Sequence, residues 1–265
     1  MRIRVVDAFT DRAFAGNPAG VCVVERWPDA PWMQRVAAGL NLSETAFARA
    51  RPDGDWDLRW FTPTVEADLC GHATLATAHA LAEDELIDDV VRFHTRAGVL
   101  TVRVGDEVTL DFPAAARTEP ANVDGVAQAL CVEPQEVHWV PALREILAVL
   151  DGSRTVRELR PDLPAVSRLD GIRGVIVSAC AASDEDVDFV SRVFLPSVGI
   201  PEDPVTGGAH TALAPFWSRR LGRDELVGYQ ASVRGGLVRT RVKGERVELT
   251  GRAVTVIDGA LVARC

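Results

Sequence analysis

FTPTVEADLCGHATLATAHAL, running from Phe61 to Leu81, has a second version in FLPSVGIPEDPVTGGAHTALAPFW, from Phe194 to Trp217, about half the 265-residue chain further on. Each reads Phe-x-Pro-x-Val, then an acid, then Gly and His, then an apolar helix. Self-similarity at that distance marks two related halves rather than a short-period solenoid. The small residues that open each helix (Gly71, His72 and Ala73; Gly207, Gly208 and Ala209) leave helix-start N–H groups uncrowded, the usual setting for an anion. Two such starts facing each other would grip a substrate carboxylate.

Working outward, residues 72–83 form a helix that is almost wholly small and apolar, and a helix without a polar face is a buried one. The expected fold is therefore α+β. Two pseudo-symmetric halves each wrap a bent, mostly antiparallel sheet around a central helix, with the natural cleft between them. The first half spans 1–116 around helix 72–83; the second spans 117–265 around helix 208–221, its last strand free to cross back. In the first half, IRVVDAF and VCVV read as strands around the Asn17–Gly20 turn, Asp29 caps a helix from Pro31 to Leu40, and ETAFARA and WDLRWFT are strands. In the second, a short helix covers Val123 to Leu130, a Pro-bounded turn covers 161–164, and GVIVSAC and VDFVSRVF are strands.

Hydrophobic residues make up 47% and charged residues 25% of the chain, an ordinary globular balance. A net charge of −9 argues against nucleic-acid and anionic-membrane partners, which need a basic stripe. No apolar run approaches ~18 residues and the N-terminus lacks a signal-peptide core, so a cytoplasmic location is expected. The five cysteines, Cys22, Cys70, Cys131, Cys180 and Cys265, are scattered and fit free thiols in a reducing compartment. No metal site and no cofactor is expected. Cys70 and His72 lack a recognisable second ligand pair, and neither half carries a G-x-G-x-x-G after a strand or a P-loop lysine.

Four features meet the criteria for chemistry: Asn41-Leu42-Ser43-Glu44-Thr45, Glu66 with Asp68, Gly71-His72, and Glu202 to His210. A carboxylate beside a helix-start His can exchange a proton with a substrate carbon, provided burial brings the acid toward neutrality. Taken singly, each has a plainer reading. Ser43-Glu44 fits a solvated turn, Glu66 and Asp68 fit helix N-terminal charges, Asp203-Pro204 opens a turn, and His79 fits a satisfied core residue. The repetition is what lifts them.

These residues carry a resemblance. N-L-S-E-T-A, F-T-P-x-x-E-x-x-L-C-G-H-A-T-L-A, E-D-P-V-T-G-x-A-H and the opening D-A-F-T-D-R-A-F-A-G-N-P-A-G-V together resemble, end to end, the PhzF-like phenazine-biosynthesis family, which shares the diaminopimelate epimerase fold. The resemblance implies a cofactor-independent isomerase that moves a proton at carbon on a small carboxylate-bearing intermediate. It implies Glu44 as the proton shuttle, with His72 and Asp203 lining the pocket and relaying or orienting protons. Ser43, Gly71, Ala73, Thr74, Thr206, Gly207, Gly208 and Ala209 are the substrate-binding candidates, and a homodimer would be unsurprising. Two alternatives stay open: an amino- or imino-acid epimerase or racemase, and an inactive small-ligand binding protein. Cys70 stands where a racemase thiol is expected, but Val205 occupies the corresponding stretch of the second half, so Cys70 reads as a buried apolar filler. One position departs from the family. Gly208 stands where T-G-S-A-H is common, keeping the amide and losing a hydroxyl, so the usual phenazine-precursor substrate is not carried across.

Overall fold

The computed structural model describes residues 1–262; Cys265 lies outside the described residues. The chain divides into two compact units, one of Met1–Asp111 with Thr250–Cys265 and one of Phe112–Leu249.

In the first unit the elements are β1 (Arg2–Ala8), β2 (Asn17–Val23), α1 (Ala30–Leu40), β3 (Glu44–Ala50), β4 (Trp56–Phe61), β5 (Glu66–Ala67), α2 (Gly71–Glu83), β6 (Val90–Thr95), β7 (Gly98–Val104) and β8 (Val108–Pro113). The second unit carries β9 (Glu119–Pro120), α3 (Val126–Leu130), β10 (Glu136–Val140), β11 (Glu145–Val149), α4 (Ser153–Glu158), α5 (Leu163–Ser167), β12 (Gly174–Cys180), β13 (Phe189–Leu195), β14 (Ile200–Asp203), α6 (Gly207–Leu221), β15 (Glu225–Gln230), β16 (Gly236–Lys243) and β17 (Arg246–Gly251). The final strand, β18 (Ala253–Ala260), returns to the first unit and pairs antiparallel with β1.

Strand pairing repeats in order. In the first unit β1–β2 is antiparallel, β2–β3 parallel, β3–β4 antiparallel, β4–β6 parallel and β6–β7 antiparallel. The second runs the same sequence through β10–β11, β11–β12, β12–β13, β13–β15 and β15–β16. A parallel pair cannot be closed by a hairpin and needs a crossover. Accordingly helices fill the same two gaps in each unit: α1, or α4 and α5, in the first, and the apolar helix, α2 or α6, in the second. The short β5 and β14 pair with β4 and β13 just before each apolar helix.

Both apolar helices are buried because little on them is polar. Residues His72 to Ala78, Ala80 and Leu81 of α2 are all buried, and the helix packs on β1, β2, β3, β7 and β18. Its carboxyl end carries no basic residue of its own. The cation comes from β1: buried Arg4 donates to the Ala80 carbonyl at 2.5 Å and pairs with Asp84. In α6, Pro215 cannot donate to the Thr211 carbonyl, and the Ala115 N–H takes that acceptor at 3.0 Å, so the proline costs no hydrogen bond. Strands β12 and β13 are buried on both faces. Ile176 and Val193 join the α6 core, while Val175, Val177 and Phe194 join a second core with α3, α4 and α5.

Four local expectations need correction. The Asn17–Gly20 stretch read as a turn is the start of β2 and pairs with Val5–Ala8 of β1, because Pro18 and Gly20 sit in extended backbone there. The stretch read as a turn at 161–164 follows α4 and runs into α5, which begins at Leu163; helices of six and five residues show too little periodicity to be read. Helix α3 starts at Val126, after Gly125 at φ 85, and not at Val123. His79 is no core residue: its side chain is 23% exposed, with Nε2 at 3.2 Å from Glu83.

Candidate active site

Three strand and helix starts of the first unit converge. Asn41, at φ 52, ends α1 in the left-handed conformation, and the chain turns through Ser43 to begin β3 at Glu44. Asn17 is the first residue of β2, and Cys70 is the N-cap of α2. His72, in the first turn of α2, is buried, with Nε2 at 3.3 Å from Glu44 Oε2 and Nδ1 at 3.2 Å from Asn17 Nδ2. Because the Asn17 amide donates to Nδ1, the single ring proton sits on Nε2 and faces Glu44. Burial pushes the His72 pKa down to about 3, so the imidazole is neutral at any working pH and the contact with Glu44 is not an ion pair. At 3.3 Å it also falls outside hydrogen-bond geometry. Catalytic hydrogen bonds are often long before substrate arrives.

Beside this pair stands an uncapped helix start. Its N-cap, Cys70, makes no side-chain cap hydrogen bond, and no acid lies in the first turn of α2. The hydroxyl and the amide of Thr74 both donate to the Cys70 carbonyl, at 2.5 and 3.3 Å, so both of its donors are engaged within the helix. The amides of Gly71, His72 and Ala73 precede the first intrahelical bond, and the dipole favours negative charge there.

The second unit repeats the device with different chemistry. Thr206 is the N-cap of α6, again without a side-chain cap and without a first-turn acid. Its hydroxyl donates to Asp203 Oδ2 at 2.5 Å, its amide donates to Gln230 Oε1 at 2.8 Å, and Gln230 Nε2 donates to the Asp203 carbonyl at 2.7 Å. Asp203 is thus buried and fixed in orientation at the end of β14. His210 is committed to structure: Nδ1 donates to the Thr206 carbonyl at 2.8 Å, and burial lowers its pKa to about 4.

Equivalent helix positions correct one sequence alignment. Cys70 matches Thr206, N-cap to N-cap, rather than Val205, which is fully buried. Nor is Cys70 merely apolar filler: its Sγ lies 3.6 Å from His72 Nδ1. Glu66 and Asp68 are not helix charges. Glu66 lies on β5 in a two-pronged pair with Arg59, at 2.7 and 2.9 Å, and the Asp68 side chain is exposed. Asn17 is the residue that sequence reading missed, since N-P-A-G reads as a turn; its only signal was that the polar residue opens an otherwise apolar strand.

Ligand atoms of Glu44, Cys70 and His72 lie within 4.8 Å of one another, as do those of Asp53, Asp55 and His94. In the first group, Nε2 faces Glu44 and Nδ1 faces Cys70, so the ring stands between the two other ligands instead of pointing with them at one ion. In the second, Arg51 and Arg92 already neutralise the two aspartates. A cavity of about 450 Å³ lined by Asp11, His79, Glu83, Asp106 and Arg252 lies toward the opposite end of α2 from Glu44 and His72.

Comparison with known proteins bears on the family and the fold. Residues 6–259 match the family described as phenazine biosynthesis-like protein. An uncharacterized isomerase of Halalkalibacterium halodurans is 44% identical over 98% of both chains. A crystal structure of a PhzF-family phenazine biosynthesis protein from Enterococcus faecalis, 40% identical, superposes with a TM-score of 0.92 over 97% of both chains. A probable proline racemase from Agrobacterium radiobacter, at 14% identity and a TM-score of 0.65 over 99% of this chain and 93% of its own, shares the fold alone. The fold is diaminopimelate epimerase-like and the protein is an isomerase- or epimerase-type enzyme. The chain belongs to the PhzF-like phenazine biosynthesis family. Among the described residues no helix is long and apolar enough to cross a membrane.

Proposed function

We propose that the protein is a cofactor-independent isomerase that shifts a proton at carbon on a small carboxylate-bearing biosynthetic intermediate, with Glu44 as the general acid/base. The observation that carries this reading is the 3.3 Å approach of Glu44 to the proton-bearing Nε2 of a neutral, buried His72 at an uncapped helix start. Glu44 takes the proton from a carbon acidified by the carboxylate and returns it at a vinylogous position or on the other face. His72 steadies the carboxylate of Glu44 through Nε2–H, and Ser43 flanks it at the turn. The amides of Gly71, His72 and Ala73 hold the substrate carboxylate and oppose the enolate-like charge as it develops. In the second unit, Gly207, Gly208 and Ala209 offer an equivalent donor set, and Asp203, oriented by Thr206, relays or orients a proton.

A second reading rests on the closeness of Cys70 to His72: a thiol-based epimerase. A two-thiol exchange lacks its partner, because the matching N-cap is Thr206. The readings separate by experiment. With Glu44 as shuttle, Cys70→Ala keeps most activity and iodoacetamide inactivates slowly; rapid inactivation at Cys70, prevented by substrate, would favour the thiol.

Gly208 tests whether the protein turns over at all. A Cβ there would meet only Leu143 Cδ2, at 4.0 Å, so Gly208→Ser should change stability by less than about 0.5 kcal/mol in a thermal melt. An enzyme whose substrate fits the empty space keeps or loses activity in this variant. Gain of turnover on a phenazine-type diene acid, over a wild type that binds it unchanged, would indicate a binding protein instead.

A further inference from the structure

Asn17 reaches the ring of His72 from a backbone that is fastened on both sides. It is fully buried as the first residue of β2 and pairs with Ala8 in the β1–β2 ladder. The loop that leads into it is tied down just before that point. Buried Asp7 accepts from the Phe14 amide at 2.6 Å through Oδ2. Gly16 takes φ 63 where a Cβ would fall 2.1 Å from the Ala8 carbonyl oxygen, so the close approach of loop to strand requires glycine.

A neutral imidazole carries one proton, and the partner on one nitrogen decides which nitrogen holds it. Asn17 Nδ2 is a donor only, and it lies 3.2 Å from Nδ1. Glu44 Oε2, 3.3 Å from Nε2, favours the same tautomer only while Glu44 is a carboxylate. Once Glu44 has taken a proton it becomes a donor, and the pull of that contact reverses. A ring held by Glu44 alone would then settle as the other tautomer, with a bare Nε2 facing the acid and Nδ1–H turned toward Cys70 Sγ, which lies 3.6 Å away.

We propose that Asn17 is a positioning residue for His72: it holds the ring as the Nε2–H tautomer through both protonation states of Glu44, so that the proton taken from carbon stays on Glu44 until it is returned. This rests on the reading of Glu44 as the general acid/base. When the carbon–hydrogen bond breaks, the proton goes to Glu44 and the electron pair stays on the substrate; the return step passes the same proton from Glu44 to carbon. Nε2 carries its own proton throughout and has no lone pair to offer the acid. Burial, which holds the His72 pKa down to about 3, keeps a second proton off the ring.

Two measurements test this. The first is the nitrogen NMR spectrum of ring-labelled histidine in the folded protein, assigned with His72→Gln, which separates protonated from bare ring nitrogens without any substrate. Wild type at neutral pH should show His72 with its proton on Nε2 and none on Nδ1, and Glu44→Gln should show the same. Asn17→Asp, which puts an acceptor where the amide donated, should move the proton to Nδ1. A wild-type ring protonated at Nδ1, a pattern that changes in Glu44→Gln, or one that survives in Asn17→Asp would each overturn the proposal. The first two outcomes keep the test open even if Asn17→Asp folds poorly. The second measurement incubates the protein in D₂O with a cell-extract pool of small carboxylates and reads conversion by mass spectrometry. Asn17→Asp should convert about tenfold more slowly than wild type, whereas in a His72→Gln background the same substitution should cost less than about twofold, since Asn17 acts through the ring. Full rate in Asn17→Asp, or the same loss with and without the ring, overturns the positioning role and leaves Glu44 as the shuttle. Conversion that persists in Glu44→Gln removes the shuttle itself, and with it the purpose given to Asn17, even where the ring pattern stands.

Discussion

Glu44→Gln should lower kcat by about 10²- to 10⁴-fold, the range for loss of a general acid-base group, while leaving the melting temperature within a few degrees of wild type. Glutamine keeps the length and acceptor of the side chain and removes only its ability to carry a proton. Glu44 is half-buried at a strand start, where the amide fits the space of the carboxylate. His72 cannot take over, because burial holds its pKa down to about 3, which makes the neutral imidazole a poor base for a carbon-bound proton. A steady-state assay beside a thermal melt checks this. Activity within a few-fold of wild type would remove Glu44 from the role of shuttle.

Gly174→Ala should produce the largest loss of stability, roughly 3 kcal/mol, the upper part of the range for overpacking. A methyl group there would meet the Phe194 carbonyl oxygen at 2.5 Å and the Leu195 side chain. The side chain can turn aside, but the carbonyl belongs to the β12–β13 ladder and cannot. Denaturant unfolding is the measurement, with Gly208→Ser as the contrasting glycine that accepts a side chain. The same constraint explains an asymmetry of the two units: Glu44 opens β3 across from Ala19, Gly174 opens β12 across from Glu145 in the matching parallel ladder, and backbone crowding bars a carboxylate from Gly174.

The halves were legible because their most apolar segment is written twice, and the helix starts because small residues cluster there. Glu44, His72 and Asp203 emerged through long motifs rather than through any property of the single residues. What stayed hidden has physical reasons. Helices α4 and α5 complete fewer than two turns each, so they leave no periodic trace and show themselves only by packing Val156, Leu159 and Val166 onto the buried face of β12 and β13. Asn17 sits in a string that spells a turn, and its contact with His72 joins residues far apart in the chain. Glu145 is an ordinary strand-start acid until the parallel register sets it across from Gly174. Thr74 looked available beside the helix start, but a threonine at that position turns its hydroxyl back onto the carbonyl four residues earlier.

The central claim is that Glu44 moves a proton at carbon. It is tested most directly by incubating the protein in D₂O with small carboxylates that carry an acidic carbon–hydrogen bond, drawn from a cell extract, and following them by mass spectrometry. Wild type should convert one such carboxylate, with solvent deuterium on carbon or with the original proton carried across. Cys70→Ala should do the same, and Glu44→Gln should not. Conversion that persists in Glu44→Gln and vanishes in Cys70→Ala would contradict the account.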